Sequence, residues 1–577
     1  MNSDLERENF LANRCSILEN TICTFGMSAY IESMNSPNFN VLSIFASSVM
    51  LATVVAGTAS AQTTYSQDPA TPELLRSTAY DDVQVKLAVG PANSTYYAYF
   101  SNPGYDIMLD RLDANGHSMW KSALVVEDRT LSSTVDYGVA SDAAGNAYIS
   151  YNGYAADGTT PTQKVASVSA TGAIRWTSVV YSAAGASLGN GRVAVASDGA
   201  VWGACSVGFD SAVQRFDSAT GVATFATPVY VNEAGAKQMC SGFQASLDGS
   251  VILTTIRYTT TYTPKILRAH RISVDGTRPW AAAGVPLFTS TAGGVQTGNF
   301  PDFLPDGSGG GYIYWYGLST PINCRCQHLS PGGVTLWGTD GVAVSTALVG
   351  DFGGTASSIA RTNPVLTVGS DGRVYEFYRA YSGAIAGIVW YGIGAQCFDT
   401  DGNPMWGAGE GVMIDPYQPS SAGVIYDKTP GAALNFGGAP GVSFTISHSA
   451  IALDARAAAM NPDGSIAWNN LLATDAGSKY RFASSTAVDG GANIAWQGGV
   501  NAGGSDLFCA HISGTGVLGP PMAACVADLN GDHNVDGSDL AGVLGQWGST
   551  GVADLNHDGT VDGQDLATLL GGWGPCQ

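Results

Sequence analysis

The chain has 577 residues and a formal net charge of −22, with only 12% of its residues charged. That length carries more than one domain. The scarcity of Lys and Arg excludes a nucleic-acid surface and attraction to an anionic membrane, both of which need clustered cations.

Residues 1–33 hold five acids and two bases. Residues 41–56, Val-Leu-Ser-Ile-Phe-Ala-Ser-Ser-Val-Met-Leu-Ala-Thr-Val-Val-Ala, form an apolar run, and Ala59-Ser60-Ala61 follows before Gln62. A hydrophobic stretch ending in a small-x-small step is the layout of a secretory signal. Met34 makes a better start than Met1. The expectation is therefore a non-native extension over 1–33 and a signal peptide over 34–61. The competing reading, an uncleaved anchor, meets a run that is short for a membrane span. The mature chain is expected to be secreted or held at the cell surface, with no membrane span.

Ten cysteines are present, and eight follow the cleavage point: Cys205, Cys240, Cys324, Cys326, Cys397, Cys509, Cys525 and Cys576. An even number in an exported chain predicts disulfides. The most readable pair is Cys525 with Cys576, which bracket the C-terminal repeats described below. Cys324-Arg-Cys326 has no second ligand pair at zinc spacing.

Residues 62–520 show strand-like runs of Val, Ile, Tyr and Thr punctuated by Asp-Gly and Asn-Gly turns. One phrase recurs: a turn, then Gly-x-x-x-Trp. Its copies are Gly116…Trp120, Gly172…Trp176, Gly221…Phe225, Gly276…Trp280, Gly333…Trp337, Gly402…Trp406 and Gly464…Trp468, with a degenerate eighth at Gly516. Successive glycines stand 56, 49, 55, 57, 69, 62 and 52 residues apart. Between them an Asp-Gly-type turn leads into an aromatic-rich strand, as at Asp142, Asp198, Asp248, Asp371 and Asp489. A period near fifty with four short strands per unit is the mark of a propeller blade, which must stack on its neighbours to bury its faces. The reading is a seven- or eight-bladed β-propeller with the recurring Trp as the plug between blades. The phrase resembles the tryptophan-docking motif of quinoprotein-type propellers, with Asp217-Ser-Ala-Thr-Gly221 the nearest copy. That resemblance implies architecture and does not extend to the quinone cofactor, whose ligand set is not found here.

Pro520-Pro521 marks a linker. Beyond it, Asp528-Leu-Asn-Gly-Asp-His-Asn-Val-Asp-Gly-Ser-Asp539 returns 26 residues later as Asp554-Leu-Asn-His-Asp-Gly-Thr-Val-Asp-Gly-Gln-Asp565. Ca²⁺ takes six to eight oxygen ligands, and in a twelve-residue loop they come from positions 1, 3, 5, 7, 9 and 12. Loop one offers Asp528, Asn530, Asp532, the Asn534 carbonyl, Asp536 and Asp539. Loop two offers Asp554, Asn556, Asp558, the Thr560 carbonyl, Asp562 and Asp565. Gly559 supplies the turn at position 6 of loop two, where loop one has His533, so the first site is expected to be the weaker. After each loop, apolar residues fall at helical spacing: Leu540, Val543, Leu544 and Trp547, then Leu566, Leu569, Leu570 and Trp573. The expectation is two loop-plus-helix units with their stripes packed together.

This stretch resembles a type I dockerin, and its Trp-Gly-Pro-Cys ending resembles a dockerin variant found at the extreme C-terminus of many secreted bacterial proteins. The resemblance implies a small α-helical calcium-binding module over 521–577 that holds two Ca²⁺ ions and docks on a cohesin-like protein or a cell-envelope component. It implies partner reading at loop positions 10 and 11, here Gly537-Ser538 and Gly563-Gln564, which differ from the usual Ser-Thr type of pair.

The body shows no nucleophile elbow, zinc helix or phosphate loop. Its histidines His270, His328 and His511 each precede a repeat's turn, as periodicity predicts. No catalytic residue is identified. The first functional reading is a secreted, non-catalytic propeller that binds a polymer or protein. The alternative is a polysaccharide-degrading enzyme, a glycoside hydrolase or lyase, tethered by its dockerin-like module.

Overall fold

The computed structural model describes residues 64–575 except 102, 130–135, 260–264, 290–293, 297–301, 318–319, 421–426, 449–452, 476, 488, 502–503, 522–526, 531–533 and 557–558. The predicted extension and signal peptide therefore lie outside the described residues, as do Cys525, Cys576, Asp532, His533 and Asp558.

The body is an eight-bladed, all-β propeller. Each blade is an antiparallel meander in which neighbouring strands are hydrogen-bonded. Blades 1 to 7 follow in chain order over 82–127, 138–182, 188–231, 236–288, 302–343, 349–419 and 427–473. Blade 6 carries a fifth strand, Val349–Asp351, ahead of its long inner strand Ala356–Val368. This addition falls in the longest repeat interval. Blade 8 is built from both ends of the body: Ser478–Thr486, Ala492–Asn501 and Gly504–Ile512 are joined on the outside by Glu73–Arg76. In such a meander the first and third turns of every blade share one face of the ring. The second connection and the link to the next blade share the other, loop-bearing face.

The core is a set of apolar layers between adjacent blades. Tyr96, Phe100 and Ile107 of blade 1 pack on Ile149, Tyr151 and Ala166 of blade 2, all fully buried. The recurring Trp does lie between blades, and the structure shows how. Each ring rests on the turn glycine of the following blade. A β-carbon on Gly221 would stand 2.6 Å from the Trp176 ring, and one on Gly402 would stand 2.6 Å from Trp337. The same glycines adopt φ of +73° and +83°, so both the close approach and the left-handed backbone require glycine. The indole N–H then donates to a carbonyl of that next turn: Trp120 to Ala170, Trp176 to Ser218, Trp337 to Thr400, Trp406 to Pro462 and Trp468 to Gly514, at 2.9–3.1 Å.

The degenerate eighth copy has no aromatic after Gly516. Tyr65 takes its place: it is fully buried, its ring stands 3.1 Å from where a β-carbon of Gly116 would be, and its hydroxyl meets that of Tyr97 at 2.9 Å. The docking aromatic stands ahead of the outermost strand or, as with Trp176 and Trp468, near its start. The outermost strand of blade 8 comes from the N-terminal end, and its aromatic comes with it.

The expected disulfides are not found among the described residues. Cys205, Cys240, Cys324, Cys326, Cys397 and Cys509 are all buried free thiols. Apart from Cys324 and Cys326, they sit in different inter-blade layers. There they serve as small apolar side chains.

In the C-terminal segment the two helices are α1 (Gly537–Gly545) and α2 (Gly563–Gly571). Val543 and Leu569 are buried with Val535, Val561, Ala527, Ala553 and Leu555, and Leu540 and Leu566 pack against them. The rest of the predicted stripe is not packed: Leu544, Trp547, Leu570 and Trp573 are 48–55% exposed. The helices are only nine residues long and end before either Trp, and Leu544 and Leu570, though helical, face solvent. No helix among the described residues is long and apolar enough to cross a membrane.

Candidate functional site

The twelve-residue loops are closed by their last carboxylate. Asp539 Oδ1 accepts from the Leu529 N–H at 2.7 Å and the Asn530 N–H at 3.2 Å, and its Oδ2 accepts from the Asp536 N–H at 2.9 Å. Asp565 repeats the set with Leu555 at 2.7 Å, Asn556 at 3.1 Å and Asp562 at 2.7 Å. Asp536 and Asp562 in turn cap their helices through Ser538 and Gln564, completing a capping box in each unit. Both position-12 side chains are buried. Backbone donors hold the Asp565 carboxyl below its usual range. At Asp539, burial opposes ionisation and the same donors outweigh it.

The two units also interlock. Val535 of loop one lies opposite Gly574, just past Trp573, while Val561 of loop two exchanges hydrogen bonds with Gly548 and Ser549, just past Trp547. Gly559 has φ +96°, and its N–H donates to Asp554 at 2.8 Å, so position 6 of loop two does require a left-handed turn. Gly537, Ser538, Gly563 and Gln564 are all exposed.

The donor set is all hard oxygen, and 525–577 contains no Lys or Arg. This chemistry fits calcium. Among the described residues no group of three His, Cys, Asp or Glu side chains is arranged to hold a metal ion, and the position-5 aspartates Asp532 and Asp558 lie outside those residues.

The propeller's central wall is formed by the innermost strands, and these are distorted in a regular way. The pairing of first and second strands skips two residues in blades 1, 3, 4, 6, 7 and 8. The first skipped residue is Gln84, Asn190, Ser241, Asn363, Gly431 or Arg481. Gln84, Asn190, Asn363 and Arg481 hold φ between +52° and +58°, left-handed backbone at non-glycine residues. Such bulges re-aim side chains. Asn190 uses its bulge to donate to Ser206 Oγ and the Cys240 carbonyl of blade 4.

Asp136 precedes the inner strand of blade 2 and joins three blades. It accepts from Lys86 Nζ of blade 1 at 2.6 Å and from Arg192 Nη1 of blade 3 at 2.7 Å. Arg192 Nε continues to the Ser241 carbonyl of blade 4 at 2.7 Å. Burial opposes ionisation of Asp136, but the charges of Arg192 and Lys86 outweigh it and hold the carboxyl well below its ordinary value. Asp136 is therefore ionised and cannot donate a proton near neutral pH. The carboxyl pushed furthest upward is Glu376, through burial, with the Arg325 charge opposing. It is sealed between blades at 0% exposure.

The body's histidines are structural. His328 meets Asp306 at 2.9 Å and His511 meets Asp489 at 3.2 Å. Arg215–Asp198 at 2.6 Å and Arg271–Asp248 repeat that clasp in other blades. His270, one position earlier in its repeat, is buried against Thr255, Gln238 and Arg278, and burial lowers its pKa to about 3.

Sequence reasoning missed Asp136. Its signal was present: Lys86, Asp136 and Arg192 are separated by 50 and 56 residues, the blade period, so the charges fall on successive inner strands. Glu127 of blade 1 pairs with Lys164 of blade 2 at 2.6 Å.

No protein-family model matches the chain, and no curated protein matches it. Among solved structures it is similar to the Dos1 propeller, with 9% identity and a TM-score of 0.40, over 75% of this chain and 94% of that one. It is also similar to puromycin hydrolase, with 12% identity and a TM-score of 0.37, over 73% of this chain. Here the chain spans only 59% of the hydrolase's length. The GH93 α-L-arabinofuranosidase of Fusarium graminearum shares 10% identity at a TM-score of 0.31, over 56% of this chain and 92% of that one. At such scores these likenesses carry no functional argument. The blade count rests on the sheet topology of this chain.

Proposed function

We propose that this protein is an exported, non-catalytic propeller that is attached through a calcium-dependent, dockerin-like C-terminal module, and that its propeller binds a polymer or a protein. The observation that carries the reading is the duplicated closure of the two loops by Asp539 and Asp565, with matching donors 26 residues apart. A solvated acidic tail has no reason to build the same cage twice. In each loop the carboxylates at positions 1, 5, 9 and 12, with the Asn at position 3 and the carbonyl at position 7, would hold one Ca²⁺. The ion supplies the charge that lets four carboxylates share one small volume, so folding of the module and metal uptake are coupled. Gly537, Ser538, Gly563 and Gln564 stay open to a cohesin-like or cell-envelope partner.

The tethered-enzyme reading asks for a proton-donating carboxyl that reaches substrate. Glu376 is sealed off and Asp136 is held ionised, so neither supports it.

Calorimetric titration of the chelator-treated, full-length mature chain with CaCl₂ tests the proposal. Two ions should bind, and Asp528→Ala and Asp554→Ala should each remove one. Chelation should melt the module and abolish retention of the partner while the propeller's melting stays unchanged. A titration without heat, or an unaltered module after chelation, overturns the assignment.

A further inference from the structure

The loop-bearing face holds a cavity of about 400 Å³ between blades 1 and 2. Its walls are the end of blade 1's outermost strand, Glu127 to Arg129, and the hairpin of blade 2 around Gly153 and Tyr154, with Lys164 alongside. The volume lies in the range of small-molecule sites.

Its polar groups are fixed from behind. Arg129, 2% exposed, donates from Nε to the Tyr105 carbonyl at 2.6 Å and from Nη1 to the Asn152 carbonyl and Oδ1, each at 2.8 Å. Its guanidinium lies 4.5 Å from the Phe100 ring centroid. Glu127 Oε1 accepts from Lys164 Nζ at 2.6 Å, and Oε2 accepts from the Tyr151 hydroxyl at 2.7 Å. Burial, then the Glu127 charge, keep the Tyr151 phenol protonated and donating. The hairpin tip is pinned by Asp157, which accepts from the Thr159 and Thr160 N–H groups at 2.9 Å. Gly153 leaves no spare room: a β-carbon there would stand 2.6 Å from Glu127 Oε1.

The charges cancel. Glu127 and Asp128 balance Arg129 and Lys164, so an anion meets two carboxylates and a cation meets two basic groups. Four charged side chains among the lining residues disfavour a wholly apolar ligand. What remains is a compact set of donors and acceptors beside an aromatic ring, Tyr154. That set matches a molecule whose hydroxyls both donate and accept and whose C–H faces can lie on a ring. We propose that this inter-blade cavity binds a neutral saccharide unit of a polysaccharide chain. The proposal rests on the polymer-binding reading of the propeller and assigns it a place and a ligand class.

The test uses the full-length chain with xylohexaose, cellohexaose, mannohexaose, arabinohexaose and an anionic oligogalacturonate in calorimetry. Retention on the insoluble neutral polysaccharides is measured in parallel. At least one neutral oligosaccharide should bind. Tyr154→Ala should weaken it tenfold or more at unchanged melting temperature, Lys164→Met should weaken it tenfold or more with a lowered melting temperature because Glu127 loses its cation, and Gly153→Ala should abolish it. Binding that survives all three substitutions overturns this site but leaves the polymer reading intact. Preference for the oligogalacturonate overturns the neutral class. No retention of any probe by the wild-type chain overturns both.

Discussion

Ring closure through Tyr65 can be measured. In Tyr65→Ala the docking ring on Gly116 is lost from a fully buried site. Truncating a buried aromatic costs about 3–5 kcal/mol. The Tyr97 hydroxyl, 2.9 Å from that of Tyr65, is also left without this partner inside the protein, a further cost of about 1–3 kcal/mol. The two losses overlap, so about 4–6 kcal/mol is expected for the alanine variant. Tyr65→Phe keeps the ring and loses only the hydroxyl pair, about 1–2 kcal/mol. Tyr80→Ala is the internal control: it lies in the same N-terminal stretch but is 50% exposed, so it should stay within about 0.5 kcal/mol of wild type. Urea unfolding followed by tryptophan fluorescence gives the midpoints, and limited proteolysis should release the segment before Glu73 fastest in the alanine variant. If Tyr65→Ala unfolded within about 1 kcal/mol of Tyr80→Ala, Tyr65 would not be the eighth docking residue, and blade 8 would be held by the Glu73–Arg76 strand alone.

Two other expectations concern the ring. Among the described residues neither carboxyl oxygen of Glu376 has a hydrogen-bond partner; the side chain is 0% exposed, and burial raises its pKa well above 4.5. The folded state therefore keeps a proton that the unfolded chain loses above 4.5. Stability linked to this group is full below that value and falls as pH rises toward the folded pKa. Glu376→Gln removes the dependence, so its advantage over wild type should grow by about 1.4 kcal/mol per pH unit within that window. Parallel urea midpoints for the two proteins from pH 5 to 8 would show that the site is not proton-linked. Gly402→Ala sets a β-carbon 2.6 Å from Trp337 at φ +83°. The conformation costs about 1–2 kcal/mol and the overlap a further 1–3 kcal/mol. A melting temperature equal to wild type would contradict the docking description.

The fold was legible where one residue type does one local job in every copy. Asp followed by Gly announces a turn within a few residues of chain, and Gly-x-x-x-Trp announces a docked plug because the glycine that receives one ring and the ring that docks on the next blade recur together in each copy. The duplication of the twelve-residue loops was legible too, but not that Asp539 and Asp565 accept backbone N–H groups. Tyr65 was not, because it does the eighth tryptophan's work from the other end of the body, and its identity as Tyr breaks the pattern. The bulges at Gln84, Asn190, Asn363 and Arg481 were not legible either. Nothing local asks for left-handed backbone at these residues, and only pairing against the second strand creates it. The cysteines misled because a count carries no information on which inter-blade layer receives each thiol. The apolar spacing out to Trp547 and Trp573 misled because it continued past the point where a nine-residue helix stops.

Eight copies of one unit in one chain also separate structural from functional side chains, without any second sequence. Residues that recur at one position are explained by the blade. The clasp of Asp with Arg or His joins the first turn of a blade to its third strand at Asp198–Arg215, Asp248–Arg271, Asp306–His328 and Asp489–His511, so His328 and His511 need no catalytic account. The bulge position gives the opposite result. It holds Gln84, Asn190, Ser241, Asn363, Gly431 and Arg481 in the six blades where the pairing skips, and Asp136 stands at the matching distance from its turn in blade 2. A carboxylate occurs there once, and it gathers two cations onto one side of the channel. The fold does not demand that choice, since other blades close with amides, a hydroxyl or glycine. A carboxylate placed once, where periodicity accepts an amide, a hydroxyl, glycine or the Arg481 guanidinium, is not accounted for by the blade architecture alone.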